Sequence, residues 1–179
     1  MTIIREKIKE QQSAVQSRKT LRDVWIEEYE SVNLEILEKT EKIREDIKID
    51  SKIDNLHLFE ESLRQTQLHA KWFDLLAQTK REYRKIKANQ QKAYLTLWKY
   101  YQGKTSPEFN AKFGIMNEKI LKSDVEKYIE ADDAWLKIKE VVQNQFALVE
   151  LIENMLENIK QRGFAIKHAI EYKKFEAGL

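Results

Sequence analysis

Apolar residues recur at three- and four-residue intervals along most of this chain, a period that predicts long amphipathic helices. Leu21, Trp25, Val32, Ile36, Ile43 and Ile47 set a first helix over residues 2–48, the first twenty being the most polar. The run IKIDSKID at 47–54 has a mixed pattern, and Asp50, Ser51 and Asp54 are candidate caps for a new helix. The clearest seam follows, over about 55–102. Leu68, Trp72, Leu75, Thr79, Tyr83, Ile86, Gln90, Ala93, Leu97 and Tyr100 form one mostly apolar stripe. Every glycine and the only proline lie at or after position 103, so no helix-breaker interrupts the first hundred residues.

Gly103 stops the second helix. GKTSPEFNAKFG, with Pro107 and Gly114 as punctuation, reads as a loop. Phe109, Phe113 and Ile115 are expected to form a short extended piece. Ser123-Asp124-Val125-Glu126 is a capping box that opens a last helix reaching 160 or beyond. Val125, Tyr128, Trp135, Ile138, Val142, Val149, Ile152, Leu156 and Ile159 carry its stripe, which continues through Gly163, Ile166 and Ile170. Gly163 is either a kink or a close contact between backbones. From Phe146 to Ile159 the apolar face widens to include Ala147, Leu148, Leu151 and Met155. A face that broad asks for more cover than one neighbouring helix supplies, which suggests subunit contacts, a well-wrapped monomer being the alternative. The fold class is all-α, with long amphipathic helices in a helical bundle.

Composition narrows the function classes. At 179 residues the chain is one domain, or one domain with an arm. Charged residues make up 35%, so much of the chain must face solvent or a charged partner, and 42% hydrophobic residues argue against wholesale disorder. There is no cysteine, hence no disulfide framework and no thiolate zinc site. The N-terminus, MTIIREKIKEQQ, lacks the apolar core of a signal peptide. No apolar run approaches the roughly 20 residues of a membrane span, so no membrane partner is expected.

Charge changes the picture most at Lys80–Lys104, KREYRKIKANQQKAYLTLWKYYQGK. Lys80, Arg81, Arg84, Lys85, Lys87, Lys92, Lys99 and Lys104 stand there against one acid, Glu82, in a chain whose formal net charge is only +2. At about 100° per residue, Arg81, Lys85, Lys92 and Lys99 fall in a narrow arc roughly opposite the apolar stripe, and Lys80, Arg84 and Lys87 widen it. Solvated helix faces usually mix signs at i,i+4, and this one does not. Cations interleaved with aromatic rings are how single-stranded nucleic acid is held. Tyr83 and Tyr100 lie on the apolar stripe and are expected to pack in the core. Tyr94, Trp98 and Tyr101 lie nearer its borders and are the stacking candidates. If roughly seven cations meet phosphates, log K falls with log salt with a slope near −5 per subunit.

Other residue types suggest little chemistry. His57, His69 and His168 lack metal-ligand spacing. Asp124, Glu126, Glu130, Asp132 and Asp133 cluster on the last helix, either to pair with a basic partner surface or to favour the helix N-terminus; the second account is preferred for Asp124 and Glu126, and a catalytic pair is not expected. No phosphate-cradling glycine loop is present and no Ser-His or Cys-His arrangement is apparent. A non-enzymatic protein without cofactor or metal is the expectation.

The tail residues Arg162-Gly163-Phe164-Ala165-Ile166-Lys167-His168 and Phe175-Glu176-Ala177-Gly178 carry a specific resemblance. So do Lys71-Trp72, the basic helix after it, and Tyr100-Tyr101-Gln102-Gly103-Lys104, with Leu121-Lys122-Ser123 a less specific match. Over about 38–179 the chain resembles the UvsY family, the recombination mediators of T-even-type bacteriophages. That resemblance implies a ring-like homo-oligomer, a hexamer or heptamer, that binds single-stranded DNA in the cytoplasm of the infected host. It also implies two protein partners, the phage recombinase UvsX and the phage single-strand-binding protein that the recombinase replaces. The implied organisation is a helical extension at 1–37, a DNA-binding region at 38–104, a loop at 105–122 and oligomerisation helices at 123–179. The DNA-binding residues are then Lys80, Arg81, Arg84, Lys85, Lys87, Lys92, Trp98, Lys99 and Lys104. Leu148, Ile152, Met155, Leu156, Ile159, Gly163, Phe164 and Ile166 are assigned to assembly. The first 37 or so residues extend beyond the family, and Leu95 and Leu97 stand where family members carry basic residues. Two other readings remain open: a coiled-coil scaffold without nucleic acid, and a peripheral helix meeting anionic lipid.

Overall fold

The computed structural model describes residues 19–114 and 120–178, and within them the regular structure is all helix. Five helices follow in order: α1 (Leu21–Asp50), α2 (Leu58–Tyr101), α3 (Pro107–Phe113), α4 (Val125–Glu130) and α5 (Asp133–Glu176). The predicted helical residues before 19, and Ile115, lie outside the described residues. Two compact units result, one from residues up to Glu30 with Lys92–Ile138, the other from Ser31–Gln91 with Lys139 onward.

The second unit is built where the three long stripes meet. Ile43 of α1, Leu68 and Trp72 of α2, and Leu148, Ile152, Met155 and Ile159 of α5 form one buried cluster. Ile47, Leu75, Leu76, Leu151 and Leu156 pack around it, half-buried. Fully burying one such aliphatic side chain contributes about 1.5–3 kcal/mol, so this seam is a principal source of the unit's stability. Most of the wide apolar face of α5 is therefore covered inside the chain, by α1 and α2 together, while Phe146 and Ala147 stay exposed.

Polar groups in this unit are satisfied by specific partners. Asp50 ends α1 as a buried carboxylate, an unfavourable place for an anion beside the helix's own carbonyl end. It accepts from Lys71 Nζ at 2.8 Å, Arg64 Nη2 at 3.0 Å and Trp72 Nε1 at 3.1 Å. Burial pushes its pKa up, but the bond and charge of Lys71, with Trp72 and Arg64, outweigh this and hold it below the ordinary value. Arg162 is buried on α5 and reaches Glu61, Gln65 Oε1 and the Lys52 carbonyl. Gly163 lies beside it within an unbroken helix; a Cβ there would meet Gln65 Nε2 at 3.3 Å. The glycine thus admits a side chain from α2, neither kinking α5 nor bringing two backbones together.

The first unit buries Ala93, Leu97, Tyr100 and Tyr101 of α2 with Phe113, Val125, Ile129, Trp135 and Ile138. Leu21, Trp25 and Tyr29 of α1 pack on the same cluster. Gly103 (φ 67°) terminates α2 by accepting the left-handed conformation. Its N–H donates to Tyr100 O, and the N–H of Lys104 donates to Lys99 O, the paired bonds of a Schellman ending.

Two expectations fail here. The supposed loop contains α3: Ser106 Oγ accepts from Phe109 N at 3.1 Å and Pro107 occupies the first turn, so Phe109 and Phe113 are helical, not extended. The Ser123 capping box does not open the long last helix. It precedes only α4, where Asp124 holds the N-cap position with no side-chain cap bond. The cap of α5 is Asp132, whose Oδ1 accepts from Ala134 N at 2.8 Å and Trp135 N at 3.3 Å.

Candidate nucleic-acid interface

The stripe read from α2 turns inward as its spacing requires. Leu68, Trp72, Thr79, Ala93, Leu97 and Tyr100 are buried, while Leu75, Tyr83, Ile86 and Gln90 are half-buried. Residues opposite the stripe are consequently left outside.

In the second unit, Arg81, Arg84, Lys85 and Lys87 are exposed. Arg81, Arg84 and Lys85 have no hydrogen-bond or ion-pair partner among the described residues. Lys87 Nζ lies over the Tyr83 ring at 5.5 Å and 3.4 Å from its hydroxyl, and Tyr83 rests against Phe146 with centroids 5.6 Å apart. Lys80 differs from these: it is half-buried and pairs with Glu153 at 2.6 Å. The one acid of the stretch, Glu82, is taken by Lys39 at 2.7 Å and approached by Gln145 Nε2 at 3.4 Å. Among the described residues Glu82 forms no ion pair with Arg81, Arg84, Lys85 or Lys87.

In the first unit, Lys92, Lys99 and Lys104 are exposed. Lys104 Nζ sits 5.0 Å over the half-buried Trp98 ring. Seven of the eight cations, all but Lys80, thus have no carboxylate partner among the described residues. The border aromatics divide. Tyr94 packs on Trp135 with centroids 5.3 Å apart. Tyr101 is closed to stacking: it is buried, and its hydroxyl donates to Asp132 Oδ2 at 2.6 Å. Burial, and next this bond, push its phenol well above the ordinary pKa. Tyr100 is likewise in the core and donates to Gly114 O at 3.0 Å. Leu97 is a core residue, whereas Leu95 is exposed.

The residues assigned to assembly are dispersed by burial. Leu148, Ile152, Met155, Ile159 and Ile166 are buried within the chain, Leu156 is half-buried, and Gly163 faces Gln65. Phe164, 60% exposed, is the one that offers a large apolar side chain to solvent. A different face went unnoticed in the sequence. Phe59, Leu63 and Phe73 are 70%, 60% and 57% exposed, and with Thr66 and Ala70 they repeat every four and three residues along α2. That is a second seam on the helix, and its spacing was the available signal.

Among the described residues no group of three or more His, Asp or Glu is placed to hold a metal ion. None of the helices described is long and apolar enough to cross a membrane.

Comparison with known proteins adds the family context. The family described as "Recombination, repair and ssDNA binding protein UvsY" matches residues 42–179. The recombination protein uvsY of Enterobacteria phage T4 is 30% identical over 141 residues, which span 78% of this chain and 98% of that protein. A crystal structure of the bacteriophage T4 recombination mediator protein UvsY (lattice type II) superposes with a TM-score of 0.68 at 30% identity, covering 76% of this chain and 96% of the other. A second crystal form (lattice type I) gives 0.66 at 28% identity, covering 75% and 98%.

Proposed function

Because the chain belongs to the UvsY family of recombination, repair and single-stranded-DNA-binding proteins, we propose that it is a phage recombination mediator whose α2 cations hold the strand. It acts as a homo-oligomer, a hexameric or heptameric ring, and promotes loading of the recombinase UvsX in place of the phage single-strand-binding protein. Its place of action is the cytoplasm of the infected host.

The observation that carries this reading is the state of the cations. Arg81, Arg84, Lys85, Lys87, Lys92, Lys99 and Lys104 are exposed without a carboxylate partner among the described residues, while Glu82 is paired with Lys39. Lysine and arginine kept in that condition are ready to exchange counterions for phosphates. Trp98 supplies a half-exposed ring with a cation already over its face, as Tyr83 does with Lys87. Individually these contacts are weak. Several copies on one strand raise the effective concentration of each site, which supports an oligomer as the working form. The exposed Phe59–Phe73 seam and Phe164 are the surfaces offered to sister subunits.

Fluorescence anisotropy of a labelled single-stranded oligonucleotide, titrated at several salt concentrations, tests the reading. Binding with a log K versus log salt slope of about −5 per subunit is expected. Absent binding at low salt, or a flat response, favours a scaffold without nucleic acid and ends the proposal.

A further inference from the structure

The match to the family begins at residue 42, so residues 21–41 of α1 precede it. In the first unit this extra stretch is tied to the end of α2 through one buried carboxylate. The Asp132 side chain is fully buried. Its Oδ1 caps α5, and its Oδ2 accepts from Tyr101 Oη at 2.6 Å and Arg22 Nη2 at 2.5 Å. Burial works against the Arg22 charge, but Asp132 and Tyr101 outweigh it and hold the guanidinium above its ordinary pKa. Leu21, Trp25 and Tyr29 keep the first turns of α1 in place, Trp25 meeting Phe113 edge-on with centroids 5.3 Å apart.

Tyr101 is the last residue of α2. The residues next to it are Trp98, Lys99 and, after the Gly103 turn, Lys104, which folds back over Trp98. Whatever fixes Tyr101 fixes the base from which these three project. A buried carboxylate without its cation cannot keep that arrangement, because the charge must find water or another partner.

We propose that Arg22 is a positioning residue for nucleic-acid binding: through Asp132 and Tyr101 it holds the end of α2 so that Trp98, Lys99 and Lys104 face the strand. This is what the N-terminal extension contributes, and it rests on the DNA-binding reading above. Arg22 itself need not touch DNA.

The test compares the full-length chain with Arg22→Met, Arg22→Lys and Tyr101→Phe in salt-dependent anisotropy. Loss of the Lys99 and Lys104 contacts lowers the slope from about −5 to about −3.5 in Arg22→Met. Between 50 and 200 mM salt its affinity then falls about 100-fold, against about 1000-fold for the parent. Tyr101→Phe removes no charge, yet the slope should fall in the same direction, and Arg22→Lys should restore it in part. A merely structural role would reduce the active fraction and leave the slope alone; a direct phosphate contact by Arg22 would leave Tyr101→Phe at the parent slope. Parent-like slopes in both Arg22→Met and Tyr101→Phe overturn the inference while the DNA-binding reading stands. A parent that shows no salt-dependent binding overturns both. Should Arg22→Met not fold, Tyr101→Phe decides.

Discussion

Replacing Arg81, Arg84 and Lys85 together by glutamine removes three exposed charges from one short stretch of α2. The helix is expected to persist, since glutamine is nearly as good a helix former as lysine or arginine. Among the described residues none of the three has a partner whose loss would leave a buried group stranded. The magnitude follows from counterion release. Seven phosphate contacts at about 0.7 each give a slope near −5, and four give one near −2.8. From 50 to 200 mM salt the parent loses about 1000-fold in affinity, and the triple variant about 50-fold. The assay is anisotropy on a short oligonucleotide, with circular dichroism to establish that helix content is kept. Lys80→Gln is the matched control. Its charge is already engaged by Glu153, so its slope should stay close to the parent's. A triple variant that keeps the parent slope would show that phosphates are met elsewhere, and the reasoning from unpartnered cations would be wrong.

Three further outcomes are expected. Ile152→Ala, at a position with no exposed surface, should lower unfolding free energy by about 2–5 kcal/mol in urea denaturation; a loss under about 1 kcal/mol would contradict its place in the core. Asp50 has a lowered pKa in the folded chain, so its contribution is present above the unfolded value of about 3.9 and disappears as pH falls through the folded one. Stability measured across that acid range should fall less steeply in Asp50→Asn, and equal steepness would reject the assignment. Phe59→Ser with Phe73→Ser should reduce the sedimenting mass with little change in helix content, because both side chains are exposed; an unaltered mass removes that seam from assembly.

Much of this architecture was legible because it is periodic. The α2 stripe from Leu68 to Tyr100 was read position by position, since a three/four repeat over a long helix has few alternatives. What was misread was decided by partners distant in sequence. Ser123 has the local pattern of a capping box, but the cap of α5 is Asp132, held by Arg22 and Tyr101, which are 110 and 31 residues away. No window of sequence contains that triad. The helix α3 was a different kind of miss. Ser106-Pro107 is a good helix start, yet the glycines on either side made the segment look like a loop. The breadth of the α5 face was seen correctly, but width alone does not say whether a helix of the same chain covers it. Ile43 and Trp72 do. For the candidate site, spacing located the outward cations, whereas the removal of Glu82 by Lys39 depends on α1 and could be seen only once the fold was known.

That Lys39–Glu82 pairing also bears on how a strand would sit. With Glu82 engaged by Lys39, the exposed Arg81, Arg84, Lys85 and Lys87 offer a guest positive charge and little that distinguishes adenine from thymine. Contacts to phosphate position a strand but carry no sequence information. Such a surface would let a polynucleotide slip along it by small steps, which suits the mediator role proposed above.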